Sequence, residues 1–158
     1  MKTIIIYATR YGSVEKAAMK LKSHLEGEVD IVNVKSDPDI YHYERVILGG
    51  SIYDGKVQRE LSKFSEDNLQ VLRKKKTGLF ICARIEKEVA TESYLSKSFP
   101  RQLYDAAIAK ANLGHEIDLD KLSDKDLAFV RKGGIEESIS VFHEGRMKRF
   151  AEVMNRSV

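Results

Sequence analysis

The sequence predicts an α/β fold: a three-layer α/β/α sandwich around an open, five-stranded parallel sheet with strands in the order 2-1-3-4-5. Three observations carry that expectation. Short apolar runs alternate with stretches of helical spacing about five times along the chain. Most of these runs are apolar almost without interruption, as expected of strands covered on both faces in a parallel sheet. The 158 residues are too few for eight strand–helix units, which excludes a closed barrel. Right-handed crossovers then leave a doubly wound sheet whose ligand crevice lies beyond the strand C-termini, beside strand 1.

The elements follow in order. Lys2–Ala8, with Ile4, Ile5 and Ile6, reads as a buried strand running straight into a turn at Gly12. A helix is predicted over Ser13–Glu26, with Ala17, Ala18, Leu21 and Leu25 on one face. Strands follow at Glu28–Val34, Arg45–Gly50 and Gly78–Ala83, with helices over Val57–Arg73 and Glu92–Ala111. Pro100 is suited to start the continuous part of the second of these helices. A weaker fifth strand is expected at Leu113–Leu119, and a closing helix at Phe142–Asn155 with Met147, Phe150, Ala151 and Met154 inward. No repeat or composition shift divides the chain, so residues 1–158 are expected to form one domain.

The totals exclude several classes. With 42% hydrophobic and 32% charged residues and only two prolines, the composition is that of a globular protein. There is no apolar run of about 18 residues to span a bilayer. The apolar stretch at Met1–Tyr7 is too short for a signal peptide, and a single cysteine, Cys82, fits a reducing compartment, so a cytoplasmic location is expected. A net charge of +3 does not call for nucleic acid. The basic run Arg73–Lys76 reads as solvated cations at a helix end. His24, His42, His115 and His143 are scattered without metal-ligand spacing. A receiver-domain reading wants acids after strand 1 and at the end of strand 3, where this chain has Ala8-Thr9 and Gly49-Gly50.

Two segments carry chemistry. Thr9-Arg10-Tyr11-Gly12-Ser13-Val14 joins strand 1 to the first helix, where helix-terminal amides can converge on a phosphate. Thr9 and Ser13 offer hydroxyls, Arg10 a charge, and Gly12 a tight turn. The same residues also read as a plain turn in which Ser13 caps the helix. Neither a Gly-Lys-Ser/Thr run nor a Gly-x-Gly-x-x-Gly run is present, which weighs against triphosphate and dinucleotide loops. The second segment, Gly49-Gly50-Ser51-Ile52-Tyr53-Asp54-Gly55, leaves strand 3 at the same sheet edge. Its glycines suit a main-chain approach to a flat ligand on which Tyr53 could stack; as a plain turn, Tyr53 would instead cover core. Cys82, ending a strand, reads as an inert core thiol more readily than as a redox group. Glu86, Glu88 and Glu92 read as solvated or helix-starting charges.

The order strand, Thr9-Arg10-x-Gly12-Ser13, helix, two strands and Ser51-Ile52-Tyr53 resembles the flavodoxin superfamily. Within it, the chain resembles the flavodoxin-domain branch that contains menaquinone-dependent protoporphyrinogen oxidase, through Ala111-Asn112-Leu113-Gly114 and on to the final helix. The resemblance implies a flavodoxin-like fold and FMN as cofactor. The phosphate would sit on Thr9, Arg10, Tyr11, Gly12, Ser13 and Val14, although Val14 stands where the family loop carries a hydroxyl. The ring would lie between Ser51, Ile52, Tyr53, Asp54 and Gly55 and a third loop that starts at Cys82, Ala83 and Arg84 and runs through Ile85-Glu86-Lys87. Catalysis would rest on the flavin, with a quinone or redox protein as partner and a porphyrin-type substrate. In the oxidase branch the segment matching Asp120–Gly134 contacts membrane or substrate, implying peripheral membrane contact; here it is short and charged, with Leu127, Phe129 and Val130 as its apolar content. Two alternatives stand beside this reading: an FMN electron carrier without catalysis, and a binding module that has lost FMN.

Overall fold

The computed structural model describes residues 1–84 and 87–156. Strands β1 (Lys2–Ala8), β2 (Glu28–Asn33), β3 (Arg45–Ser51), β4 (Lys76–Cys82) and β5 (Ala109–Asn112) form one parallel sheet in the order β2-β1-β3-β4-β5. This is the flavodoxin-like α/β architecture expected from the sequence. Alternation along β1 assigns its side chains to two cores. Ile4 and Ile6 face the layer of α2 (Arg59–Asp67), α3 (Leu69–Leu72), α4 (Glu88–Ser98) and α5 (Arg101–Ala106). Ile5 and Tyr7 face α1 (Ser13–Lys22) and α7 (Glu144–Asn155). All three isoleucines are at most 1% exposed, each contributing about 1.5–3 kcal/mol of hydrophobic stabilisation. Among the described residues, no helix is long and apolar enough to cross a membrane.

The later elements differ from expectation. The helix expected over Glu92–Ala111 is two helices divided at Pro100, and it ends at Ala106. Ala107 turns extended (φ −62, ψ 130), and the Ile108 amide donates to the Thr77 carbonyl at 2.8 Å, opening the pairing of β5 with β4. The run Ala109-Lys110-Ala111-Asn112 has helix-favouring composition, so its strand state comes from pairing with β4 rather than from propensity. The expected strand Leu113–Leu119 instead leaves the sheet at Gly114 (φ 113). It supplies β6 (Gly114–Ile117), antiparallel to β7 (Ile139–Phe142). Phe142 therefore ends a strand rather than opening the last helix.

The expected helix over Val57–Arg73 is likewise broken, at Asn68, whose side chain donates back to the Phe64 carbonyl at 2.9 Å. Between Asp120 and Gly134 the chain forms a helix, α6 (Asp124–Lys132), whose N-cap Ser123 accepts from the Asp126 amide at 3.2 Å. None of the residues of α6 is buried.

Candidate functional site

Parallel register brings the site together. Ala8 pairs with Gly50, Ser51 with Cys82, and Ile81 with Asn112, so the loops after β1, β3 and β4 leave one edge of the sheet side by side.

The first loop turns at Gly12, whose backbone is left-handed (φ 94, ψ −3). A side chain would strain that conformation, and the space where a Cβ would stand is open, with no atom within 4 Å. Thr9 Oγ1 accepts from the Gly12 amide at 2.9 Å and shapes the turn. Ser13 is the first residue of α1 rather than its cap, and no side chain caps the helix. Its first-turn amides are thus presented at the helix N-terminus, with the positive end of the dipole behind them. The Val14 side chain is fully buried against the sheet, so toward that edge this residue offers only its amide.

The second loop is a two-residue hairpin. Tyr53 and Lys56 exchange backbone hydrogen bonds of 2.7 and 3.1 Å, and both intervening residues have positive φ, Asp54 at 51 and Gly55 at 81. Asp-Gly is the pair that such a tight turn favours. Gln58 braces the strand end, accepting from the Ser51 amide at 3.2 Å and donating to Ser51 Oγ at 2.6 Å. Ile52 packs on the core, and Tyr53 stands out from it, 41% exposed. Partial burial raises the pKa of the Tyr53 hydroxyl.

The third loop is held by Asn112. Its side chain accepts from the Ala83 amide at 3.2 Å, donates to the Ala83 carbonyl at 2.9 Å, and also accepts from the Gly114 amide at 3.1 Å. Arg84 is exposed, and the expected continuation through Ile85 and Glu86 lies outside the described residues.

One carboxylate enters this edge from afar. Asp126 of α6 pairs with Arg10 at 2.9 Å and accepts a short hydrogen bond from the Tyr11 hydroxyl. Those two partners, Tyr11 first, hold its pKa below the usual carboxylate range. The Arg10 guanidinium lies 5.5 Å from the Tyr11 ring centre and 5.8 Å from that of Tyr53. Two hollows, of about 580 and 510 Å³, lie elsewhere: against α1 and the β6–β7 pair, and along β5. Neither is lined by the first two loops. Among the described residues, no cluster of three His, Cys, Asp or Glu side chains could hold a metal ion.

A family model described as a flavodoxin domain matches residues 4–142. The chain belongs to the flavodoxin domain family. Solved structures agree on the fold. A flavodoxin from the domain Archaea is 16% identical, with a TM-score of 0.58 over 99% of this chain and 100% of that one. Flavodoxin 2 from Bacillus cereus is 21% identical, with a TM-score of 0.58 over 98% and 97%. The Fusobacterium nucleatum flavodoxin bound to flavin mononucleotide is 17% identical, with a TM-score of 0.52 over 96% and 95%. No curated protein matches the chain.

In this flavodoxin domain, Gly49, Gly50 and Cys82 are closely packed. A Cβ on Gly49 would stand 2.0 Å from the Phe80 ring, and one on Gly50 2.9–3.0 Å from Gln58, Leu61 and Val57. These glycines let the sheet meet its neighbours, and only Gly55 belongs to the loop. Cys82 is 4% exposed, and burial pushes its thiol up to about 12, which leaves it protonated and unreactive. Sequence reasoning missed the roles of Gln58, Asn112 and Asp126. Asn112 did carry a signal, as a polar residue between apolar neighbours at a strand end. Asp126 carried none, because its partners are more than a hundred residues away.

Proposed function

We propose that this flavodoxin domain binds FMN and acts as a flavin-dependent redox protein. The observation that carries the proposal is the start of α1: an uncapped helix N-terminus behind a left-handed Gly12, with open space over the turn. That arrangement fits a monophosphate, which needs converging amides and room for its oxygens. Family membership and the FMN held by the Fusobacterium nucleatum flavodoxin support the reading. Amides of Tyr11, Ser13 and Val14 with the Ser13 hydroxyl would take the phosphate. Tyr53 and the Ser51–Gly55 hairpin would flank the ring, with Ala83 and Arg84 opposite. Once bound, FMN supplies the electron transfer. The protein's own residues hold the phosphate, orient the ring and shield it from water; none of them is assigned as a general acid or base.

Uptake of FMN tests this directly. The purified protein should be yellow, or should quench FMN fluorescence on titration and release FMN on denaturation. A colourless protein that leaves FMN fluorescence unchanged at tens of micromolar would refute the reading.

The finer reading rests on the resemblance of the loops: oxidation of a porphyrin-type substrate, with electrons passing to a quinone or protein acceptor. The net charge of +3 suits an anionic substrate better than it suits docking onto a basic redox partner. It takes residues 1–158 as one domain working in the cytoplasm or peripherally at a membrane. Turnover of protoporphyrinogen by the FMN-loaded protein tests it; electron exchange with a protein partner without such turnover would mark a carrier.

A further inference from the structure

We propose that Asp126 is an affinity-setting residue of the flavin site, competing with the FMN phosphate for Arg10. The inference rests on the FMN reading and adds α6 to the site.

Arg10 is the only basic side chain between Ala8 and Val14. Its guanidinium is held at 2.9 Å by Asp126, and that carboxylate is fixed in turn by Tyr11, a residue of the same loop. The Tyr11 hydroxyl also lies 3.4 Å from Ser123 Oγ, the cap of α6. The loop is therefore latched to α6 by two of its side chains, Arg10 and Tyr11, and the Arg10 charge beside the turn is offset by Asp126. Glu15, in the first turn of α1, adds a further negative charge nearby. What remains for a phosphate of charge about −1.5 to −2 is the helix end, worth about half a charge.

Releasing Arg10 would restore a full charge. The latch is built to give way. None of the residues of α6 is buried, so polar contacts hold it more than core packing does. The Arg10 side chain is half exposed, and so exposed an ion pair contributes at most about fivefold to an equilibrium. Arg10 also lies over the Tyr53 ring, so its release uncovers the surface offered to the flavin.

Paired titrations of FMN and riboflavin, which lacks the phosphate, test this by fluorescence quenching. Asp126→Asn removes the charge from an exposed helix and should bind FMN about threefold to fivefold more tightly than wild type. Riboflavin affinity should stay within twofold. Asp126→Ser should show the same split, and circular dichroism melts verify that both variants are folded. Equal FMN affinity in wild type and variants overturns the inference and leaves the flavin reading standing. An equal gain for riboflavin also overturns it, because the effect would not pass through the phosphate. Failure of every form to bind either flavin overturns the FMN reading, and this inference with it.

Discussion

The Asn112 side chain bonds both the amide and the carbonyl of Ala83, at 3.2 and 2.9 Å. Asn112 ends β5 and Ala83 follows the last residue of β4, 29 positions away in the chain. A third bond to the Gly114 amide at 3.1 Å fixes the point where the chain leaves the sheet. One buried amide thus sets both the start of the third loop and the departure of β6.

Asn112→Ala should therefore be costly. It leaves part-buried backbone groups of Ala83 and the buried Gly114 amide without these partners, which predicts a loss of about 2–3 kcal/mol. For a chain of this size, that corresponds to roughly 5–10 °C in melting temperature. Urea unfolding measures it; a loss below about 0.5 kcal/mol would show that the clip is not structural.

Gly12→Val separates binding from folding. With φ 94 at this position, a β-branched residue costs roughly 1–2 kcal/mol in backbone strain. Its side chain would also occupy the open space over the turn. FMN affinity should fall more than tenfold, and riboflavin affinity far less. Titration of the folded variant checks the ratio.

Cys82 should be silent in the native protein. With its thiol pushed up to about 12 by burial, alkylation at pH 8 should proceed only as fast as the protein unfolds. The same shift has a thermodynamic sign. The unfolded thiol ionises near its usual value of 9.0, and the folded one only at about 12. Its contribution is complete below the lower value and is lost as pH rises between them. Cys82→Ala should flatten the alkaline decline in stability measured over that range.

Glu116 should matter at the acid end. It pairs with Lys16 at 2.5 Å and accepts from Ser140 at 3.1 Å, ties that join β6 to α1 and β7. The Lys16 contact, more than any other, lowers the Glu116 pKa below its usual value of 4.5. A depressed acid contributes stability that is present above the unfolded pKa and lost as pH falls through the folded one. Glu116→Gln should cost up to about 1 kcal/mol at neutral pH. The difference from wild type should vanish as pH drops below the carboxylate range, as urea midpoints against pH would show.

The sequence by itself determined the layered architecture, the positions of the first four strands and the two loops after β1 and β3. Runs such as Ile4-Ile5-Ile6 and Val46-Ile47-Leu48, fully buried in the sheet, announce their state locally, because a strand covered on both faces has no polar side to display. Gly12 and Asp54-Gly55 were legible for a similar reason, since positive φ restricts which residues fit. Tertiary structure decided the rest. Ala109–Asn112 became β5 through pairing with β4, although its own composition favours a helix. Gly49 proved to be a packing glycine only once Phe80 was seen beneath it. Asp126 reached Arg10 and Tyr11 through the fold alone, 115 residues along the chain from Tyr11. Local periodicity reports which face of an element is dry; only the folded chain decides which polar groups meet across it.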